Sequence, residues 1–266
     1  MPIYVILQAA LTPLLLSVVL STLNKLKYYS RQANEAVVMV AWLAISAWIM
    51  SGPNLPPRNA LDVLWCTTLL LLASPTFPNG YRPTAITLTI SAGLLWAAWP
   101  ALTYKANWAS HGMLWLITAT GIATLFWQQC QARQHFKASA VGIGAVAGAI
   151  SLTTIMSGSL KLGLVAASMS FLMFLPALSQ LWRQSQLFTH STQRLSALIT
   201  GLLLFCTLYA DVNVVSFTLA LSALLIVQHK QPSRMIDGII ITLSFLTVIC
   251  AALSEYVFSQ SAPIYY

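Results

Sequence analysis

The acidic side chains are the residues of this sequence best suited to ion or proton chemistry. There are five of them, and each lies at the predicted end of an apolar segment: Glu35, Asp62, Asp211, Asp237 and Glu255. A carboxylate within hydrocarbon is expensive to desolvate, and proteins retain one there mainly to couple transport to a proton or a cation. Because none lies inside an apolar segment, the sequence predicts no buried acidic coupling group.

Asp211 and Asn213 lie in a short polar break for which two interpretations stay open. The apolar segments on either side, 195–210 and 214–228, are each about 15 residues long, or roughly 22 Å at 1.5 Å per residue. In the first interpretation the two residues form a turn outside the membrane, since Asp and Asn favour turns. In the second, 195–228 is a re-entrant hairpin whose tip forms a site for an ion or a polar solute between two helix ends.

Two prolines and two glycines mark positions where helices could bend or meet. Pro13 and Pro176 interrupt two of the apolar segments. A proline inside a helix frees a backbone carbonyl, which either lines a substrate cavity or only accompanies a bend. Gly144 and Gly148 are four residues apart in the run AVGIGAVAGAI, so they share a helix face and let a neighbouring backbone approach closely. The glycine pair predicts a tight helix contact, with packing inside the chain favoured over dimerisation.

The sequence predicts no catalytic, cofactor or metal site. The four histidines fall in predicted loops, so imidazoles facing each other across a haem iron are not expected within a bundle: His111, His135, His190 and His229. The four cysteines are far apart and form no CxxC pair or zinc spacing. The sequence also shows no Ser-His-Asp set and no glycine-rich phosphate loop. We therefore expect a protein that is not an enzyme and holds no cofactor.

The composition indicates which solvent surrounds these residues. Hydrophobic residues make up 58% of the 266-residue chain and charged residues 7%, against roughly a quarter charged in soluble domains. So little polar surface excludes a water-soluble fold and makes the lipid bilayer the expected partner. The net charge of +8 does not indicate nucleic acid, because the basic residues are scattered singly between apolar runs.

The elements that carry these residues are predicted to be membrane-spanning helices, since about 20 helical residues cross the ~30 Å hydrocarbon layer. Ten apolar segments come near this length: Pro2–Leu23, Ala36–Ser51, Ala60–Thr76, Thr84–Tyr104, Met113–Gln128, Ala138–Met156, Leu162–Trp182, Leu195–Ala210, Val214–Gln228 and Ile236–Glu255. The first lacks a basic leader, so we expect it to be retained as a helix. We predict an all-α, polytopic transmembrane bundle of about ten spans, a single domain over residues 1–266. The alternative is eight spans plus the re-entrant hairpin at 195–228.

Three tryptophans lie deeper in these segments than the aromatic residues at the span ends, which are typical interface anchors. They are Trp42, Trp96 and Trp115. We expect all three to pack between helices.

The basic residues predict the orientation, since cytoplasmic loops carry an excess of Lys and Arg. With the N-terminus outside, ten of them fall on the cytoplasmic side: Lys25, Lys27, Arg31, Arg82, Arg133, Lys137, Arg183, Arg194, Lys230 and Arg234. Three fall on the other side: Arg58, Lys105 and Lys161. We therefore predict that both termini lie on the outer, periplasmic side of a bacterial cytoplasmic (inner) membrane.

Ten spans also divide into two sets of five, residues 1–129 and 138–254. An odd-numbered repeat is inverted in the membrane. The two halves share no residue-level similarity, so this 5+5 inverted arrangement rests on the span count alone.

Two functions from different classes fit these predictions. The first is a small permease or channel for a neutral, lipidic or anionic solute, without a buried acidic coupling group. The second is a non-catalytic subunit that docks other membrane subunits in a larger complex. A permease should enclose a cavity that reaches the middle of the membrane, whereas a scaffold should be solid and should expose its small-residue face.

Overall fold

The structure is a computed structural model, and it describes residues 10–19, 31–54, 57, 59–73, 82–104, 118–123, 139–183, 193–210, 212–227 and 234–261. Within these residues the secondary structure is helical and contains no strand. The prediction of an all-α fold is therefore confirmed.

Ten helical segments lie in the described ranges, and each overlaps one of the ten predicted apolar segments. They are α1 (Ala10–Val19), α2 (Arg31–Ile49), α3 (Ala60–Ala73), α4 (Arg82–Tyr104), α5 (residues 118–123), α6 (Ala140–Met156), α7 (Leu160–Arg183), α8 (Gln193–Tyr209), α9 (Val214–Val227) and α10 (Arg234–Ser261). Two stretches within them are long and apolar enough to cross a membrane, Leu160–Leu178 in α7 and Arg234–Val257 in α10. The count of ten spans therefore stays a prediction.

Side-chain and backbone caps set the limits of α6. At its start the hydroxyl of Ser139 accepts a hydrogen bond from the backbone N–H of Gly142, 3.3 Å away, as an N-cap serine does. At its end the N–H of Ser157 donates to the carbonyl of Thr153. Gly158 then adopts φ +93°, a left-handed conformation that favours glycine, and α7 begins two residues later. The chain therefore reverses within three residues, and α6 and α7 form an antiparallel hairpin.

Two helices, α6 and α8, form the centre of the described bundle. In α6, twelve of 17 residues are buried, and in α8 every residue from Arg194 to Leu208 is buried. A helix without a polar face is expected to lie in an interior. Helices α7, α9 and α10 pack against α6, whereas α3 and α4 pack against α8.

The contacts between helices fix their relative directions. Helix α10 runs parallel to α6, because Ser139 meets Asp237 and a Cβ on Gly142 would meet Ile240. Helix α9 runs antiparallel to both, because Ser216 in its first turn contacts Thr247 of α10 and its last residue, Val227, lies beside Gly142. The starts of α6 and α10 therefore lie at the same end of the bundle.

Helix α10 divides its residues between two faces in an unusual way. The face toward α6 and α9 carries Asp237, Ile240, Ser244, Thr247 and Ala251, which are all buried. These positions are spaced three and four residues apart, so they form one stripe along the helix. Large apolar side chains occupy the exposed faces: Met235, Ile239, Ile241, Phe245, Leu246, Ile249, Leu253 and Val257. Four of the five residues on the inward stripe are thus polar or small, and much of the apolar surface of α10 points outward.

Candidate functional site

Gly144 and Gly148 lie at the contact between α6 and α7. A Cβ on Gly148 would come within 3.1 Å of the Ser170 hydroxyl, and one on Gly144 within 3.2 Å of the Met173 Cβ. The missing side chains let the Ser170 hydroxyl reach the carbonyl of Gly144, to which it donates a hydrogen bond of 2.9 Å. Two helical turns further along, the Ser151 hydroxyl donates to the carbonyl of Gly163, 2.8 Å away. The glycine face is thus covered by the chain's own α7 and is not exposed to a partner.

Both prolines lie inside described helices, and their side chains are buried. Pro176 lies within α7, which continues to Arg183, and Pro13 lies within α1. The ring of Pro176 removes the N–H that would otherwise bond the carbonyl of Leu172. Neither proline lines the apolar crevice that the structure shows between α3, α4 and α8.

Asn213 caps the start of α9, whereas Asp211 lies outside the described residues. The side-chain oxygen of Asn213 accepts a hydrogen bond from the N–H of Val215, 2.9 Å away, and its backbone carbonyl accepts one from Phe217. This is the usual role of an Asn at a helix start. The amide oxygen that a substrate site would need is therefore already engaged in the turn.

Most of the buried hydroxyls are satisfied within their own helices. Thr67 and Thr68 donate to the carbonyls of Val63 and Leu64, at 2.7 and 2.8 Å, and Thr200 and Thr207 do the same on α8. A hydroxyl bonded to the preceding turn needs no polar channel. These side chains therefore do not by themselves define a pathway through the bundle.

Other polar groups link one helix to the next. The indole N–H of Trp42 on α2 donates to the carbonyl of Val165 on α7, at 3.1 Å. The indole N–H of Trp65 on α3 donates to the carbonyl of Leu43 on α2, at 3.0 Å. The Tyr209 hydroxyl on α8 donates to the carbonyl of Ala97 on α4. Bonds of this kind hold helices together where water does not compete.

The expectation that three deep tryptophans pack between helices is only partly correct. Trp42 is 1% exposed, whereas Trp96 on α4 is 60% exposed. Trp115 lies outside the described residues. Hydropathy gives the depth of a residue along a helix but not the direction in which it points.

Two of the acids have buried side chains, although both lie at segment ends as predicted. Asp62 and Asp237 do lie in the first turns of α3 and α10, as their place at segment ends implied. Their side chains are nevertheless only 1% and 7% exposed. Each is covered by a neighbouring part of the fold that the sequence alone does not place beside it. Glu255 is exposed, and the side chains of Glu35 and Asp211 lie outside the described residues.

Asp62 is held in a network of local hydrogen bonds. Its Oδ1 accepts from the backbone N–H of Asn54, and its Oδ2 accepts from the Asn54 side-chain amide and from the N–H of Asn59, all at 3.2–3.3 Å. Asn59 in turn accepts from the N–H of Asp62, at 2.9 Å. Reciprocal bonding of this kind is a capping box. Asp62 therefore ties the connection between α2 and α3 to the start of α3.

Asp237 has a different environment, between the starts of α10 and α6. Its carboxylate is hydrogen-bonded by the hydroxyl of Ser139, the N-cap residue of α6. Its second oxygen, Oδ1, is buried and receives no hydrogen bond from any described residue. Arg194, in the first turn of α8, is buried too, at 5% exposure. Asp237 is thus an incompletely satisfied carboxylate in the interior, and it is the residue of the described chain most suited to chemistry.

The described part of the fold also contains a small crevice between α3, α4 and α8. Its volume is about 10 Å³, which is room for about one water molecule, and side chains such as Leu71, Leu94 and Phe205 line it. Gly201 contributes to the wall, where a Cβ would meet Ile90 at 3.6 Å. The crevice is apolar and far smaller than the pockets that hold small-molecule ligands.

No metal or disulfide chemistry is assembled in the described residues. They contain no group of three His, Cys, Asp or Glu side chains that could hold a metal ion. Among them, Cys66, Cys206 and Cys250 are free thiols. Cys206 instead hydrogen-bonds Thr154, which links α8 to α6.

Comparison with known proteins identifies no relative. No protein-family model matches the sequence, and neither a curated protein nor a solved structure matches it. The function must therefore be inferred from the residues and their arrangement.

Proposed function

We propose that this chain is a multi-pass integral membrane protein that acts as a small permease. The observation that supports membrane embedding is the distribution of side chains on α10. Phe245 is 66% exposed, whereas Asp237, Ser244 and Thr247 are buried against α6 and α9. Water would favour the opposite arrangement, and soluble monomers rarely expose so extended an apolar face. Lipid is the solvent that accommodates it.

We propose that the chain crosses the membrane about ten times, with both termini on the outer side of a cytoplasmic membrane. The helix directions support the sides predicted from the charges. Arg194 and Arg234 lie in the first turns of α8 and α10, whereas Lys161 follows the turn that joins α6 to α7. Lys161 is thus at the opposite end of the bundle from Arg234. The division into halves 1–129 and 138–254 stays a prediction.

Impermeant thiol labelling of intact cells tests this orientation. In a background without native cysteines, Ser159→Cys reports the α6–α7 turn, and Met235→Cys, at a side chain 77% exposed, reports the start of α10. We expect labelling of position 159 in intact cells and of position 235 only after permeabilisation. The reverse pattern would overturn the orientation, and labelling of both in intact cells would overturn embedding of α10.

Transport is supported by two features of the described interior. They are the buried carboxylate of Asp237 and the proline within α7. A buried acid is typical of membrane proteins that couple transport to protons or cations. We propose a neutral, lipidic or anionic solute as the cargo.

Reconstitution into liposomes tests the permease directly. Three probes cover the three solute classes: glycerol uptake by light scattering, chloride efflux, and the transbilayer movement of a fluorescent phospholipid. We expect at least one rate to exceed that of empty liposomes and of liposomes that contain heat-denatured protein. Rates at the background level for all three would count against the permease.

A non-catalytic membrane subunit is the second candidate. The exposed apolar face of α10 favours it, because a partner helix could cover that face instead of lipid. The glycine face of α6 does not favour it, since α7 already occupies that face. Purification from native membranes separates the candidates: stoichiometric recovery with other subunits supports the second, and recovery alone supports the permease.

A further inference from the structure

Asp237 differs from Asp62 in how its carboxylate is satisfied. Both oxygens of Asp62 accept hydrogen bonds from Asn54 or Asn59. Asp237 is bonded by Ser139, and its Oδ1 has no donor among the described residues although the side chain is only 7% exposed. A buried carboxylate with an unbonded oxygen is unstable as a permanent charge, because burial removes the water that would solvate it. A proton on that oxygen would relieve this penalty.

The charges around Asp237 leave it without a described ion-pair partner. The helices packed against α10 are α6 and α9, and neither carries a titratable side chain between its ends. On α10 itself Arg234 lies one turn earlier, and its side chain is exposed. Arg194 lies in the first turn of α8, a helix that packs against α6 and α9. The N-termini of α6 and α10 both bring positive partial charge to this end, so they stabilise the ionised form and disfavour a bound metal cation.

A second polar atom without a partner lies on the same stripe of α10. The hydroxyl oxygen of Ser244 is buried and has no hydrogen-bond partner among the described residues. It lies two turns beyond Asp237, or about 10 Å along the axis. Thr247 donates to the carbonyl of Ser244, and Ser216 on α9 donates to the carbonyl of Thr247. The polar groups of the seam between α6, α9 and α10 therefore resume at Ser244, with the buried side chain of Ile240 between it and Asp237.

We propose that Asp237 is a proton-binding group that couples the permease to protons. The ionised carboxylate takes a proton from a hydronium ion at its end of the seam: an O–H bond forms at Oδ1 and one water molecule is released. The reverse step returns the proton to water. A proton needs one acceptor atom, whereas Na⁺ or Ca²⁺ needs several oxygen ligands, and the described site offers few. Coupling rests on the proposed permease function, but proton binding does not.

Infrared difference spectroscopy of the full chain in detergent tests proton binding. The signal is the C=O stretch of a protonated carboxyl group as the pH is lowered. We expect this band to lose one component in Asp237→Asn, whereas Asp62→Asn, the matched variant at the other buried acid, keeps it. Equal spectra for the wild type and Asp237→Asn at every pH would overturn the proposal. Loss of the same component in Asp62→Asn but not in Asp237→Asn would overturn it too.

A second variant keeps the test valid if Asp237→Asn does not fold. Ser139→Ala removes the described hydrogen bond to Asp237 but leaves the carboxyl group in place. Because a hydrogen bond contributes about 1 kcal/mol, we expect the titration midpoint of that component to shift by about half a pH unit or more. An unchanged midpoint in folded Ser139→Ala would overturn the assignment to Asp237.

The liposome measurements then separate the two proposals. If one of the three probes is transported, its rate in wild-type liposomes should depend on an imposed pH gradient, and the rate in Asp237→Asn should not. A titrating Asp237 with no transport of any probe counts against the permease alone. A transport rate that does not depend on the pH gradient would overturn the proposed coupling to protons, even where Asp237 binds a proton.

Discussion

The hydroxyl of Ser170 on α7 donates a 2.9 Å hydrogen bond to the backbone carbonyl of Gly144 on α6. A serine reaches a main-chain carbonyl of another helix only where the two backbones are close. Gly144 and Gly148 allow this approach because they have no Cβ. Because α6 is one of the two helices at the centre of the described bundle, the contact between α6 and α7 should contribute strongly to stability.

Larger residues at the glycines should therefore destabilise the protein. We expect Gly148→Leu to lower the free energy of unfolding by about 1–3 kcal/mol, the usual cost of overpacking. Gly238→Leu is the matched control, because a Cβ at Gly238 on α10 would meet no atom within 4 Å. Thermal unfolding in a mild detergent measures both. Equal stabilities for the two variants would show that the α6–α7 contact does not require glycine.

Trp42 should stabilise the contact between α2 and α7. Trp42→Phe removes the indole N–H that donates to Val165, and it leaves a small cavity in the core. We expect a loss of about 1–3 kcal/mol. Trp48→Phe on the same helix is the control, since Trp48 is 50% exposed. The same unfolding assay applies, and a larger effect of Trp48→Phe would contradict the burial of Trp42.

Asp62 should hold the connection between α2 and α3. Asp62→Ala leaves the N–H groups of Asn54 and Asn59 without their acceptor, so we expect a loss of about 1–3 kcal/mol. Limited proteolysis should then cut residues 51–59 faster than in the wild type. Glu255→Ala is the control, because that side chain is exposed. Unchanged cleavage in Asp62→Ala would argue against the capping network.

A charge on the outer face of α10 tests which solvent surrounds it. Phe245 lies near the middle of the apolar stretch Arg234–Val257 and is 66% exposed. In lipid, Phe245→Lys should cost about 3 kcal/mol and reduce the membrane-integrated fraction. In water the same change should be neutral. Alkaline extraction of membranes measures integration, with Met235→Lys at the end of the helix as the matched control.

The positions of the helices are predictable from the sequence because each helix is a long run of mostly apolar residues. Each of the ten predicted apolar segments overlaps a described helix, and the spacing of Gly144 and Gly148 pointed to a shared face. Contacts between distant segments are not predictable from composition and spacing. Ser139 hydrogen-bonds Asp237, and no periodicity places Ser139 beside a residue almost a hundred positions later.

One signal in α10 could have identified Asp237. Asp237, Ser244, Thr247 and Ala251 follow one another at intervals of seven, three and four residues, which keeps them on one helix face, while the positions between them are mostly large and apolar. In a membrane the small and polar stripe is the one that turns inward. The distance of Asp237 from a segment end gives its depth along the helix but not the direction in which its side chain points.

The capped ends of α6 have an electrical consequence. With Ser139 and Ser157 as its two caps, the 17 residues of this helix span about 25 Å, short of the ~30 Å hydrocarbon layer. Helix α10 starts level with it and continues about two turns beyond its end. In a bilayer at least one end of α6 would then lie inside the hydrocarbon layer, where no water screens the partial charge of the helix terminus. A charge beside that terminus would feel this field more strongly than it would in water.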